Sequence, residues 1–321
     1  MKALFFETPR RVAVRTIELP PPGPGEVRVR ARCSAVSAGT ELLAYRGLLP
    51  ASLPIDQSLP ALTGTFAFPF RYGYALVGEV TEVGEGVAER MVGRRVFAFA
   101  PHATEVNVAL AGVTPLPDDL SDERALFIAN TETAVSLLHD GQPCIGERVA
   151  VFGQGIVGLL TTSLLARLPL QALAVVEPDP ARAALEAGAP LAVHGAPAEP
   201  VDLAFELSGD PAALQTAIDH CGPEGRVVVG AWYGDKDVML NLGRHFHRAR
   251  VRLISSQVST LRGELQPRWT HARRLELAVS LLARLEPERW ISHRVPFEQA
   301  AQAYRSLDES PGSCLQIVLT Y

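Results

Sequence analysis

One short run constrains this 321-residue chain more than any other: Gly153-Gln154-Gly155-Ile156-Val157-Gly158. On its own a G-x-G-x-x-G run is a weak signal. Here it follows the β-type run Val149-Ala150-Val151-Phe152 and opens an apolar stretch that reads as a helix to about Arg167. In that setting each glycine has a task. Gly153 permits a tight turn, Gly155 lets the backbone approach a pyrophosphate, and Gly158 lets helix and strand pack closely. The first amides of the helix, at Ile156 and Val157, then face the phosphates with the positive end of the helix dipole. Glu177 ends the next expected strand, 19 residues after Gly158. A carboxylate there is expected to accept hydrogen bonds from the adenosine ribose and to repel a 2′-phosphate. NAD(H) is therefore preferred. Arg182, close enough to pack near the adenine, leaves NADP(H) open.

The surrounding pattern supports a parallel sheet. Strands are expected at Ala172 to Glu177, Val201 to Leu207, Arg226 to Gly230 and Val251 to Ser255, with helical stretches between. Such alternation implies a sheet covered on both faces. Ser208 and Gly230 then fall at the C-terminal ends of strands, where ligands of open α/β sheets bind. The first 118 or so residues differ. Short runs such as Val27 to Ala31, Tyr74 to Gly84 and Gly93 to Phe99 are punctuated by Gly and Pro, as in a small barrel. The change of character near Pro115–Ser121 marks a boundary, and Ser121 is placed to cap a helix.

Composition removes several functions. The net charge of −5 argues against a general nucleic-acid binder. Lys2 and Lys236 are the only lysines, which leaves Schiff-base chemistry almost without a candidate. The four cysteines, Cys33, Cys144, Cys221 and Cys314, form no C-x-x-C pair, so no zinc ribbon or redox pair is expected. Scattered thiols suit a reducing compartment. Met1–Glu7 lacks the apolar region of a signal peptide, and Val149–Val176 is too interrupted to span a membrane. A cytoplasmic protein with no membrane partner is expected.

Together, the β-rich N-terminal part, Val83-Gly84-Glu85-Gly86-Val87, Gly93-Arg94-Arg95-Val96, the Gly153 run and the tail Ile291–Phe297 resemble the medium-chain dehydrogenase/reductase superfamily. The resemblance covers nearly the whole chain and implies an α/β architecture. A Rossmann doubly wound parallel sheet (121–287) would be joined to a GroES-like β-barrel catalytic domain (1–120, completed by 288–321). It also implies a cleft active site and a homodimer or homotetramer formed through the Rossmann domain. Zinc-dependent members carry a Cys in a G-x-C-G-[ST]-D run and a G-H-E run. The matching runs here are Val36-Ser37-Ala38-Gly39-Thr40-Glu41 and Gly73-Tyr74-Ala75. The third ligand would fall in Leu126–Asn130, which holds neither Cys nor acid, and the four-Cys structural lobe is missing. No metal site is therefore expected. Ser37–Glu41 and Asn130–Ala134 further resemble a zinc-less branch of the superfamily.

Without a metal, side chains must manage the charge on the reacting oxygen. The resemblance gives Thr40 the proton-relay hydroxyl. Tyr74 either fills the emptied metal space as a donor or packs as an aromatic. Glu41 matches a supporting acid that orients its loop, with an Arg as one conceivable partner. Thr133, in the run Asn130-Thr131-Glu132-Thr133 expected to open a helix, packs against the nicotinamide or caps that helix. Cys33 reads as a buried thiol, His102 as a surface residue and His245 as solvated or at an interface. The segment Leu48–Phe70, with Tyr72 beyond it, reads either as a loop around a bulky, apolar small-molecule substrate or as a cover for the barrel mouth. The leading expectation is a zinc-independent NAD(H) oxidoreductase of alcohols or ketones. An NADPH quinone or enoyl reductase of the same superfamily and a non-catalytic dinucleotide-binding sensor remain as alternatives.

Overall fold

The structure is a computed structural model that describes residues 1–56, 58–59, 61–185, 191–193 and 197–321. The chain forms two compact units, Met1–Ala129 with Leu282–Tyr321, and Asn130–Leu281.

Among the described residues, the second unit is built on six parallel strands. Their order is Leu191–Val193, Ala172–Val176, Arg148–Phe152, Val201–Glu206, Cys221–Val229 and Arg252–Ser255. Val149 to Phe152 are all 1% exposed or less, as a strand covered on both faces must be. The chain leaves Arg148–Phe152 outward on one side to Ala172–Val176 and returns on the other side with Val201–Glu206. The order therefore reverses at that central strand, and the glycine run follows its end. The helix after it, Ile156–Leu165, is apolar nearly all round and almost wholly buried.

The first unit is β-rich. Glu26–Val36 is its central strand, and its burial alternates with period two before both faces become covered. It pairs antiparallel with Leu76–Val83, Glu105–Ala109 and Gln316–Thr320. Arg95–Ala98 and Val113–Pro115 extend one side, and Ile291–Pro296 lies parallel to Gln316–Thr320 on the other. The tail thus completes the sheet begun by the N-terminal segment. Gly78 makes the central pairing close, because a Cβ there would sit 2.3 Å from the Arg30 carbonyl oxygen. Ser121 caps the short helix Asp122–Ala125 by accepting from the Arg124 amide at 3.2 Å.

The structure refines several expectations. Phe66, Phe70 and Tyr72 are core residues, although Phe70 also borders the cavity beside the segment Leu48–Phe70. They are at most 6% exposed and pack in the core, where Phe6 stacks on Phe70 at 5.0 Å and Phe66 meets Tyr72 edge-on at 5.3 Å. A cavity of 270 Å³ does lie beside that segment, lined in part by Ile55, Leu62, Thr65 and Arg71. Gln57 and Pro60 of the segment lie outside the described residues. The helix Ile128–Gly141 starts before Asn130, so Asn130–Thr133 sit within it rather than opening it. His245 is half-buried, its Nε2 lying 2.6 Å from the Cys221 carbonyl oxygen, which leaves its reading as solvated or at an interface untouched. Cys33 is buried, as expected, and burial pushes its thiol up to about 12.

One buried ion pair ties the second unit's helices together. Arg274, 1% exposed, reaches from His271–Leu285 to Glu132 at 3.0 Å and to Ser136 at 3.3 Å. It also donates to the Val258 carbonyl oxygen. Burial pushes the Glu132 carboxyl up, and Arg274 opposes that shift. Removing the arginine strands a buried acid. Arg274→Met should therefore lower unfolding stability by about 3–5 kcal/mol. Denaturant unfolding followed by circular dichroism checks this, and a loss below about 1 kcal/mol would contradict the role assigned to the pair.

Candidate active site

The glycine turn has the geometry its sequence requires. Gly153 adopts φ +93°, and a Cβ on it would lie 2.8 Å from the Ser208 backbone. A Cβ on Gly158 would lie 2.1 Å from the Gly153 carbonyl oxygen, so helix and turn close only with glycine there. Around Gly155 nothing lies within 4 Å of the Cβ position. Gly155 is also the N-cap of Ile156–Leu165, with no side-chain cap bond. The amides of the first helical turn have no partner within the helix, and the space before them is open. These residues fit a dinucleotide's phosphates. Ile156 is buried and Val157 half-buried against the sheet.

Glu177 has a structural task in the turn. It is 6% exposed, and its two carboxylate oxygens accept from the Gln154 amide at 2.7 Å and the Asp179 amide at 3.1 Å. It therefore braces the glycine turn from the neighbouring strand. Each oxygen keeps a lone pair for another donor. Arg182 follows on the short helix Pro180–Ala183, which Asp179 caps, and lies 4.0 Å from the Asp179 carboxylate. Ser208 and Gly230 sit at the strand ends expected for them, but both have structural tasks. Ser208 donates to the buried Glu206 carboxylate, which also accepts from the Tyr233 hydroxyl at 2.6 Å. A Cβ on Gly230 would collide with Leu137 at 2.5 Å. Thr133 is half-buried, while its neighbour Thr131 is fully buried with no partner for its hydroxyl among the described residues.

In the first unit the residues matched to the metal-site runs come together. The Tyr74 hydroxyl donates to Ser37 Oγ at 2.8 Å. Thr40, the first residue of the helix Thr40–Arg46, lies close enough to this phenol to favour its ionised form. Two hydroxyls, with Thr40 beside them, thus meet where the superfamily's zinc-type pattern would place thiolate and imidazole. Burial pushes the Tyr74 phenol up to about 12. The Ser37 hydrogen bond and the neighbouring Thr40 oppose that shift, and the nearby Glu41 charge adds to it. The phenol is thus held as a proton-bearing donor.

Glu41 is fully buried and uses both oxygens. Oε1 accepts from the Ser37 amide at 2.9 Å. Oε2 lies 3.0 Å from His102 Nε2 and accepts from the Tyr304 hydroxyl. The expected orientation of the loop is thus carried by a histidine and a tyrosine rather than an arginine. His102 corrects the reading as a surface residue: it is 0% exposed.

The donor set does not fit zinc. Tetrahedral sites use thiolate, imidazole or carboxylate, and Ser37, Tyr74 and Ala75 offer none. At Leu126–Ala129 the side chains are apolar and buried. Glu41 and His102 are engaged with each other. Among the described residues, no group of three or more His, Cys, Asp or Glu is placed to hold a metal.

No protein-family model matches the chain. Comparison with curated proteins shows 31% identity over 273 residues to an (R,R)-butanediol dehydrogenase of Bacillus subtilis, covering 72% of this chain and 78% of that protein. A 2-desacetyl-2-hydroxyethyl bacteriochlorophyllide A dehydrogenase of Cereibacter sphaeroides is 26% identical over 352 residues, covering 99% of this chain and 98% of that one. Among solved structures, an Escherichia coli alcohol dehydrogenase complexed with NADH superposes with a TM-score of 0.81 at 20% identity, over 100% of this chain and 99% of that one. Other structural neighbours are described as zinc-binding dehydrogenases, one of them bound to NADP. On the butanediol dehydrogenase match, this chain belongs to the medium-chain dehydrogenase/reductase superfamily, as an alcohol-dehydrogenase-like oxidoreductase with a Rossmann and a GroES-like domain.

Proposed function

We propose that the chain is a zinc-independent, NAD(H)-preferring oxidoreductase that interconverts an alcohol and its ketone. The observation carrying this reading is the 2.8 Å bond between Tyr74 and Ser37, the residues matched to two zinc-ligand positions. Where zinc-type members carry ligands, this chain carries hydroxyls bonded to one another.

A bound nicotinamide supplies or accepts the hydride. The chain has to hold the substrate oxygen and move its proton. Tyr74 is suited to the first task. A hydroxyl hydrogen rotates freely, so the Ser37–Tyr74 bond can reverse direction without moving a heavy atom. Ser37 then donates to the phenol oxygen, and the phenol hydrogen is free for a carbonyl oxygen. Such a fixed donor costs no reorganisation when charge develops on that oxygen. Thr40, beside the same phenol and partly exposed, hands the proton of the alcohol on to solvent in the reverse direction. Because the Tyr74 phenol is raised from its ordinary 10.0, it keeps its proton throughout the neutral range. The raised value favours the folded state in full below pH 10.0, and that contribution fades as pH climbs towards about 12.

In the second unit, the open turn at Gly155 takes the pyrophosphate, and Gly153 and Gly158 keep it open. Glu177 presents negative charge where an adenosine 2′-phosphate would lie, which supports the preference for NAD(H).

Two measurements test this reading. In fluorescence titration, NADH should bind at least about tenfold more tightly than NADPH, a difference of about 1.4 kcal/mol. Equal or reversed affinities would remove the role given to Glu177. In a screen of secondary alcohols and ketones, Tyr74→Phe and Thr40→Val should each lower kcat/KM on the order of 100-fold while leaving NADH affinity unchanged. No limb from Tyr74 ionisation should appear in the rate profile below pH 10.0. Retention of activity within about twofold in both variants would contradict the proposal.

A further inference from the structure

The most thoroughly buried polar cluster of the first unit lies behind the three hydroxyls rather than among them. It runs Tyr304, Glu41, His102, Ser34, Tyr321, with His102 at its centre. The ring's two nitrogens are both engaged. Nε2 lies 3.0 Å from Glu41 Oε2, and Nδ1 lies 2.7 Å from Ser34 Oγ. A carboxylate only accepts, so Nε2 carries the hydrogen of that bond. Ser34 in turn bonds the Tyr321 hydroxyl at 2.9 Å.

His102 touches both arms of the hydroxyl cluster. Through Glu41 it reaches the Ser37 amide, which Glu41 Oε1 holds at 2.9 Å. On the other side the ring lies against Gly73, the residue before Tyr74. A Cβ on Gly73 would stand 2.6 Å from the ring, and Gly73 adopts φ +115°, so glycine is needed on both counts. The His102 amide also donates to the Tyr72 carbonyl oxygen at 3.2 Å. A single ring thus braces the segment bearing Ser37 and the segment bearing Tyr74. Neither segment is close to it in sequence.

We infer that His102 is a positioning residue: bridging Glu41 and the bare Gly73 backbone, it clamps Ser37 and Tyr74 at hydrogen-bond distance so that the phenol is aimed before substrate arrives. This rests on the reading of Tyr74 and Thr40 given above. It assigns no proton transfer to His102. The imidazole works by holding two backbones, with Ser34 and Tyr321 fixing the plane of the ring. Misplacing a reacting group by about 1 Å costs on the order of 100-fold in rate, so a loosened clamp should register in turnover.

The experiment uses the full chain with His102→Ala, His102→Gln and Ser34→Ala. Two readouts are taken: amide hydrogen exchange over residues 37–41, and steady-state kinetics with NADH titration. His102→Ala should expose the Ser37 amide and speed its exchange on the order of tenfold or more. Its kcat should fall on the order of 10- to 100-fold, with NADH affinity and substrate KM unchanged within about twofold. His102→Gln, which restores a donor to Glu41, should recover most of both losses. Ser34→Ala keeps the ring but frees it to turn, and should show a smaller loss of the same kind. It also serves as the test should His102→Ala fail to fold. Unchanged Ser37 exchange in a folded His102→Ala or in Ser34→Ala would overturn the inference. So would a glutamine variant as impaired as the alanine one. The exchange readout does not depend on turnover, so absence of activity in the parent chain would count against the proposed function alone.

Discussion

The buried Glu41 carboxylate is the interaction on which the first unit's chemistry depends. A carboxylate removed from water is tolerated only when its oxygens are bonded. Here the bonds come from the Ser37 amide, His102 and Tyr304, which lie on three separate parts of the chain. Satisfying that one charge draws together the loop before the helix Thr40–Arg46, the segment after Arg95–Ala98 and the late helix Ala300–Glu309. Its charge adds to the burial that raises the Tyr74 phenol. The need to pair one buried acid therefore shapes the backbone around the proposed donor.

The second unit shows the same economy at Glu177. A carboxylate at that strand end serves as a ribose acceptor in the dinucleotide-binding pattern. Here it first ties down the Gln154 amide, so the residue suited to reading the cofactor also braces the turn that receives it. Ser208 and Gly230 likewise serve the fold, by bonding Glu206 and by letting Leu137 approach.

How much could be read beforehand follows from how local each signal is. The glycine turn, the buried strand before it and the helix after it were legible, because three glycine tasks and a change of period lie within twenty residues. The pairing of Ser37 with Tyr74 was foreshadowed only through the resemblance that matched them to one metal site. Glu41 with His102 could not be read, since the partners are 61 residues apart and a lone histidine in a loop carries no mark of burial. Arg274 escaped for a similar reason, because arginine is exposed by default and its burial depends on a glutamate 142 residues away. The aromatic run at Phe66 to Tyr72 leaves two readings open because an apolar substrate wall and an apolar core use the same residues. The strand Leu191–Val193 is too short to show a period.

The central claim is that hydroxyls, and not a metal, meet the substrate oxygen. Activity of the purified protein, measured alongside its zinc content before and after exhaustive chelation, tests it most directly. The account predicts substoichiometric zinc and turnover that survives chelation undiminished. One zinc per chain, with activity lost on its removal and restored by adding it back, would contradict the account.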